Sequence, residues 1–236
     1  MQEQNEWWVY PPPPTIYDRI GNNFITLLFR PLFYIALRFY FRYFHHYHII
    51  SYNNKLGTGG SVIVANHSSH LDTLLIFSCL PFRAINQTYS VAAADYFFAK
   101  PILKVIAHLL CNIIPIRREV ADLKSLSICI EIINNDGTIL IYPEGTRTRT
   151  GRMGRFKPGV GLLVKKTRCM VYPVFITGTY ESMNYRRVVP KPTPIKIALG
   201  SPLSYRMLIK KGEGAKEITE VIEKAVVELG HKLGKI

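Results

Sequence analysis

A chain of 236 residues, 48% hydrophobic and 19% charged, carries enough apolar side chain for one substantial globular core, which excludes an intrinsically disordered protein. A formal charge of +14 calls for an anionic partner: nucleic acid, a phosphorylated substrate or an anionic membrane. Cys79, Cys111, Cys129 and Cys169 lie scattered in apolar stretches without CxxC spacing, which argues against a disulfide framework and for a reducing, cytosol-facing environment.

Residues 1–20 read as a proline-rich leader. The run Pro11 to Pro14 cannot be helical and is expected to be an extended polyproline segment, lying against something through Trp7 and Trp8. The acidic-to-neutral start, Met1 to Glu6, has no secretory pattern. Residues 21–51 form an apolar, aromatic stretch interrupted by Arg30, Arg38 and Arg42, too broken for the ~20 apolar residues of a bilayer span. Pro31 suits the first position of a helix, so a short helix followed by a longer one is expected. Arg38, Arg42, His45 and His48 fall on one side, within roughly 120° at about 100° per residue. Leu, Phe, Tyr and Ile occupy the other, which predicts a helix lying in the membrane interface with its basic side toward headgroups.

Residues 52–236 alternate between two patterns. Strands are predicted over Val62–Ala65, Thr88–Ala92, Ile113–Ile116, Thr138–Tyr142, Val171–Ile176 and Ile195–Leu199. Helices are predicted over Leu71–Cys79, Tyr96–Leu110, Val120–Asn134, Val160–Lys166 and Ala215–Leu233, the last on the stripe Ile218, Val221, Ile222, Ala225, Val226, Leu229. The alternation implies an α/β domain, a central mixed sheet flanked by helices, preceded by the membrane-associated helical segment.

Two loops carry the chemistry. The strand ending at Ala65 runs into Asn66-His67-Ser68-Ser69-His70-Leu71-Asp72. An imidazole can take a proton from an alcohol near neutral pH, and a carboxylate on its other nitrogen fixes the tautomer. Positions five apart diverge by about 140° on a helix. His67 must therefore stand before the first turn, with Asp72 inside it reaching back and Ser68 or Ser69 capping. His70 lies too close to Asp72 to share its face and is expected to be structural. His67 and His70 lack a third ligand in suitable context for a metal. The second loop, Tyr142-Pro143-Glu144-Gly145-Thr146-Arg147, follows another strand. Pro143 and Gly145 shape a turn, and Glu144 either orders the loop or holds a substrate hydroxyl. Arg147 can fork onto a phosphate, within a dense positive field from Arg149, Arg152, Arg155 and Lys157. Arg117, at the end of the strand Ile113–Ile116, offers a further phosphate contact, with Arg118 beside it covering the surface.

With these words in hand, the chain resembles the glycerolipid acyltransferases, which act on glycerol-3-phosphate and lysophosphatidic acid. The first family motif, Asn-His-x4-Asp, is matched by Asn66, His67 and Asp72; the third is complete from Tyr142 to Arg147. The second, Gly-x-x-Phe-Ile-x-Arg, agrees only at Arg117, since Cys111, Ile114 and Pro115 replace its Gly, Phe and Ile. The fourth is similar to Val171-Tyr172-Pro173-Val174-Phe175. The resemblance implies His67 as base and Asp72 as its orienter, with Arg117, Glu144, Gly145, Thr146 and Arg147 holding a phosphorylated acceptor. It further implies transfer of a fatty acyl group from acyl-CoA or an acyl carrier protein to lysophosphatidic acid, giving phosphatidic acid. Glycerol-3-phosphate or another lysophospholipid is the alternative acceptor. The thioester is a co-substrate, and no metal or other cofactor is expected. The expected partners are these substrates and an anionic membrane surface, with the protein peripheral or monotopic and its site facing the cytoplasm. No Gly-x-Ser-x-Gly elbow is present for an acyl-serine intermediate. Nothing resembles a helix-turn-helix, zinc finger or RNP motif, so nucleic acid is not the expected anion. The two intact His/Asp and Glu/Arg pairs argue against a membrane scaffold without chemistry.

Overall fold

A computed structural model describes residues 24–51, 56, 59–93, 110–116 and 123–235. The proline-rich leader, Arg117, Arg118 and most of the helix expected over Tyr96–Leu110 lie outside these residues. The elements are α1 (Phe24–Phe44), β1 (His48–Ser51), β2 (Ser61–Ala65), α2 (Leu71–Cys79), α3 (Phe82–Ile85), β3 (Thr88–Ala93) and β4 (Ile113–Ile116). Then follow α4 (Leu123–Asn134), β5 (Thr138–Ile141), α5 (Gly159–Thr167), β6 (Met170–Thr177), α6 (Thr179–Ser182), β7 (Lys196–Leu199), α7 (Tyr205–Leu208) and α8 (Ala215–Lys232).

Seven strands make one sheet in the order β1-β7-β6-β2-β5-β3-β4. All neighbouring pairs are parallel except β6 with β7, which makes the sheet mixed. The pleat sends alternate side chains of β2 to opposite faces. Val62 and Val64 join a core with Ile139, Val171, Ile132 of α4, Leu163 of α5 and Ile222 of α8. Ile63 and Ala65 join a second core with Leu140, Val174, Leu75 and Ile76 of α2 and Tyr34 and Phe41 of α1. The result is three layers, as the run of apolar strands requires when both faces are covered. Helices α5 and α8 approach closely: a Cβ on Gly161 would meet the Ala215 carbonyl oxygen at 1.9 Å.

The N-terminal segment departs from expectation in three ways. First, α1 is continuous through Pro31 and does not break there. An interior proline costs about 3 kcal/mol. Burial of Tyr34, Leu37 and Phe41 against the domain, at about 1.5–3 kcal/mol for each large side chain, outweighs that. Secondly, the basic side does not face outward as a unit. Arg38 donates from Nε to the Ser78 carbonyl at 2.8 Å and from a terminal nitrogen to that of Leu80 at 2.6 Å, so it caps the C-terminus of α2. Its guanidinium also stacks on Phe82. Arg30 is buried and donates to the side-chain oxygens of Asn86 and Asn112. His45 is wholly buried, with Nδ1 donating to the Thr193 carbonyl. Arg42 and His48 remain exposed. Thirdly, residues 48–51, expected to belong to the helical segment, form an edge strand paired with β7. Opposite the docked side, Phe29, Leu32, Ile35, Phe39 and Tyr43 occupy an arc of roughly 120° and are 41–70% exposed. Among the described residues no helix is long and apolar enough to cross a membrane.

Candidate active site

Strands β2 and β5 are parallel neighbours at the centre of the sheet, so the loops that leave their C-terminal ends emerge side by side. Helix α2 begins at Leu71, which leaves His67 in the turn before it and puts Asp72 in its first turn. The Asp72 carboxylate is fully buried and reaches back: Oδ2 accepts from His67 Nδ1 at 3.0 Å, from the Ser68 N–H at 2.7 Å and from the Ser69 N–H at 2.8 Å. Asp72 Oδ1 is buried and has no partner among the described residues. Three donors thus converge on one oxygen, and because Asp72 can only accept, His67 carries its proton on Nδ1 and presents Nε2 as the basic nitrogen. The Ser69 hydroxyl accepts from the Leu71 N–H at 3.2 Å and caps the turn.

The second loop is bolted to the first through the backbone of His67. Its N–H donates to Glu144 Oε1 at 2.7 Å, and its carbonyl accepts from the Thr148 N–H at 3.0 Å. Glu144 Oε2 accepts from the Gly154 N–H at 2.8 Å, and the residue is only 8% exposed. Both oxygens are therefore engaged by the protein, which suits the loop-ordering role of Glu144 over a contact with substrate. Gly145 sits at φ +74°, in the region that favours glycine, and a Cβ there would meet Lys157 Nζ at 2.8 Å. Its N–H donates to the Tyr142 carbonyl at 3.0 Å, closing the turn, so this donor is not free for a developing oxyanion. Thr146 is exposed and Arg147 half-exposed; with Glu144, Arg149, Arg152 and Arg155 they line a cavity of about 500 Å³.

Two positioning contacts have no counterpart in the sequence expectations. The Tyr142 ring stacks on the His67 imidazole, with centroids 4.0 Å apart and planes 17° from parallel, while its hydroxyl pairs with Thr73 Oγ1 at 3.0 Å. Asn66 donates to the Ile176 carbonyl at 2.9 Å and accepts from its N–H at 2.7 Å, extending the β2–β6 ladder by a side chain. His70 stands at the N-cap position of α2, where its side chain makes no capping hydrogen bond. Burial first, then the charge of Arg147, pushes its pKa down to about 4, so it stays neutral. Arg147 lines the same cavity as Glu144, whose Oε1 accepts from the His67 N–H. Among the described residues no cluster of three His, Cys, Asp or Glu is placed to hold a metal. Arg117 lies outside the described residues.

Burial pushes the Glu144 carboxyl up to about 7 against its two backbone donors. The folded chain therefore holds this proton where the unfolded chain, near 4.5, has released it. Below pH 4.5 both states are protonated and the group costs nothing. Between pH 4.5 and about 7 the unfolded chain has released the proton and the folded chain has not, so stability on the order of 2–3 kcal/mol is lost as pH rises across that window. His70 acts in the opposite sense, weakening the fold as pH falls from 6.5 towards 4. A wild-type melting profile alone mixes the two. The expected result is that the melting temperature of the wild type minus that of Glu144→Gln, which does not titrate, falls from pH 5 to pH 8. A difference that rises with pH would mean that the folded state holds the Glu144 proton less tightly than the unfolded chain does.

The comparisons with known proteins agree with this geometry. A family model described as Acyltransferase matches residues 46–177. A chloroplastic 1-acyl-sn-glycerol-3-phosphate acyltransferase of Brassica napus is 28% identical over 124 residues, covering 52% of this chain and 34% of that protein. The 1-acyl-sn-glycerol-3-phosphate acyltransferase of Cocos nucifera is 27% identical over 146 residues, covering 61% and 46%. The chain thus matches between a third and a half of the length of these relatives. The crystal structure of a 1-acyl-sn-glycerophosphate acyltransferase from Thermotoga maritima superposes with a TM-score of 0.62 at 22% identity, over 91% of this chain and 88% of that one, which shows a shared fold. Since the matched segment takes in both loops, the β5–β2–β6 centre of the sheet and more than half of the 236 residues, the chain belongs to the acyltransferase family.

Proposed function

We propose that the protein transfers a fatty acyl group from a thioester, acyl-CoA or acyl carrier protein, to the free hydroxyl of lysophosphatidic acid, giving phosphatidic acid. The observation that carries this reading is the His67–Asp72 pair held at 3.0 Å beside the arginine-lined cavity. His67 Nε2 takes the proton of the acceptor hydroxyl as its oxygen attacks the thioester carbonyl. The carbon–sulfur bond then breaks and the imidazolium returns the proton to the departing thiolate. Arg147, with Arg117 beyond the described residues, meets the acceptor phosphate; Thr146 and the Gly145 turn shape the wall around it. Three donors on one carboxylate oxygen hold the imidazole ready, so its orientation costs nothing at the moment of reaction. The names of the relatives favour lysophosphatidic acid over glycerol-3-phosphate as acceptor.

The reaction is read at a bilayer surface, with the protein peripheral and the site open to the cytoplasm. The exposed apolar arc of α1 supports this: five large side chains facing water make a patch that a lipid interface would cover. Products identified by mass spectrometry, from purified protein offered a panel of lyso-acceptors with acyl-CoA and acyl carrier protein donors, test the reaction. Phosphatidic acid is the expected product. Product formed only from another lysophospholipid would replace the acceptor, and none from any pair would remove the proposal.

A further inference from the structure

Beyond α6 the chain makes a loop, residues 183–190, whose tip is Val188 and Val189, 89% and 71% exposed. Single exposed apolar residues are ordinary; two adjacent β-branched ones at a projecting tip, with Tyr185 half-exposed beside them, are not. The loop is not slack. Its base is closed by the Lys191 N–H on the Ser182 carbonyl at 3.2 Å and by the Ser182 hydroxyl on the Lys191 carbonyl at 3.0 Å. Within it the Arg187 N–H donates to the Asn184 carbonyl at 3.1 Å and the Arg186 N–H to the Asn184 side chain at 3.0 Å. Pro190, Pro192 and Pro194 stiffen the returning limb. The two valines are therefore held out in water by a built turn.

The charge around the tip has one sign. Arg186, Arg187 and Lys191 flank it and are exposed, and no acidic residue occurs from Ser182 to Gly212. The nearest carboxylate before it, Glu181, lies 3.5 Å from Lys235. The loop is also fixed to both parts of the molecule that concern a membrane. Ser69, in the catalytic turn, donates to the Met183 carbonyl at 2.6 Å. His45, just past the end of α1, donates to the Thr193 carbonyl, and the Ile195 N–H donates to the His45 carbonyl at 3.2 Å.

We infer that residues 185–191 form a second membrane contact, separate from α1, in which Val188 and Val189 enter the acyl boundary of an anionic bilayer while Arg186, Arg187 and Lys191 meet its headgroups. An apolar tip ringed by cations is complementary to that surface, apolar below and anionic above. The inference rests on the reading of the protein as one that works at a bilayer. A second contact, tied through Met183 to the catalytic turn and through Thr193 to the end of α1, would fix the mouth of the site against the lipid, where a single helix would leave it free to roll.

The test is co-sedimentation of the full chain with phosphatidylcholine vesicles containing or lacking phosphatidylglycerol. The variants are Val188→Ser/Val189→Ser in the loop and Leu32→Ser/Phe39→Ser on α1, each checked for an unchanged melting temperature. The expected result is binding to the anionic vesicles that falls about tenfold in the loop variant, and about fivefold for each of Arg186→Gln and Arg187→Gln. Loss in the α1 variant with unchanged binding in the loop variant overturns this inference and leaves the α1 reading standing. No binding of the wild type to either vesicle overturns both. If the loop substitutions instead dissolve a dimer seen by light scattering and leave vesicle binding intact, the surface is an interface between copies and the lipid contact is wrong.

Discussion

His67→Ala is expected to abolish acyl transfer while leaving the protein folded. A positioned general base contributes about 10²–10⁴ in rate, so turnover in a radiolabelled acyl transfer assay should fall by at least a hundredfold. The fold has little reason to fail. His67 is bound to the structure mainly by its backbone, through Glu144 and Thr148, and an alanine keeps both bonds. Asp72 Oδ2 retains the Ser68 and Ser69 donors. What is lost is the ring under Tyr142 and one hydrogen bond, a cost of about 1–2 kcal/mol that a melting curve resolves. A variant that melts near the wild type yet turns over within a few-fold of it ends the assignment of His67 as base.

That expectation was readable from the sequence because its logic is local. His67 and Asp72 are five positions apart, and only a helix N-terminus between them lets both side chains meet; the start of α2 at Leu71 meets that condition. The buried strands were readable for a similar reason, since each is a short apolar run, and the alternation with helices implied the layers. What stayed hidden depends on contacts between distant segments. No pattern in residues 61–73 states that Tyr142 will lie on the imidazole, because that contact exists only once β2 and β5 are neighbours. Glu144 was open between two roles for the same reason: the donors that occupy it belong to His67 and Gly154. The N-terminal helix shows the limit most directly. Its sequence is amphipathic either way round, and periodicity cannot say which side faces the protein. Arg38 is drawn inward by the unsatisfied carbonyls at the end of α2, and Arg30 by two asparagine oxygens. Tyr34, Leu37 and Phe41 go inward with them, and a second apolar set, Phe29, Leu32, Ile35, Phe39 and Tyr43, is left outside.

Asp72→Asn and Asp72→Ala are expected to separate charge from geometry at this site. In the native arrangement all three hydrogen bonds go to Oδ2, while Oδ1 has no partner among the described residues. An asparagine can therefore place its carbonyl oxygen where Oδ2 stands and its amide nitrogen where Oδ1 stands, keeping the His67, Ser68 and Ser69 donors satisfied. The flipped orientation would set an NH₂ against the Ser68 and Ser69 N–H groups and is repelled. The imidazole keeps its tautomer and its direction, and only the negative charge beside the forming imidazolium is removed. A hydrogen bond to a charged partner contributes about 1.5–3 kcal/mol, so kcat should fall roughly 10- to 100-fold with KM for the acceptor little changed. Alanine removes the acceptor altogether. It leaves two buried N–H groups unpaired at the start of α2, costs about 2–4 kcal/mol of stability, and frees the ring to turn. Its activity should fall to the level of His67→Ala. Equal losses in the asparagine and alanine variants, with equal melting temperatures, would show that the carboxylate acts by its charge alone and that the convergence on one oxygen has no positioning role.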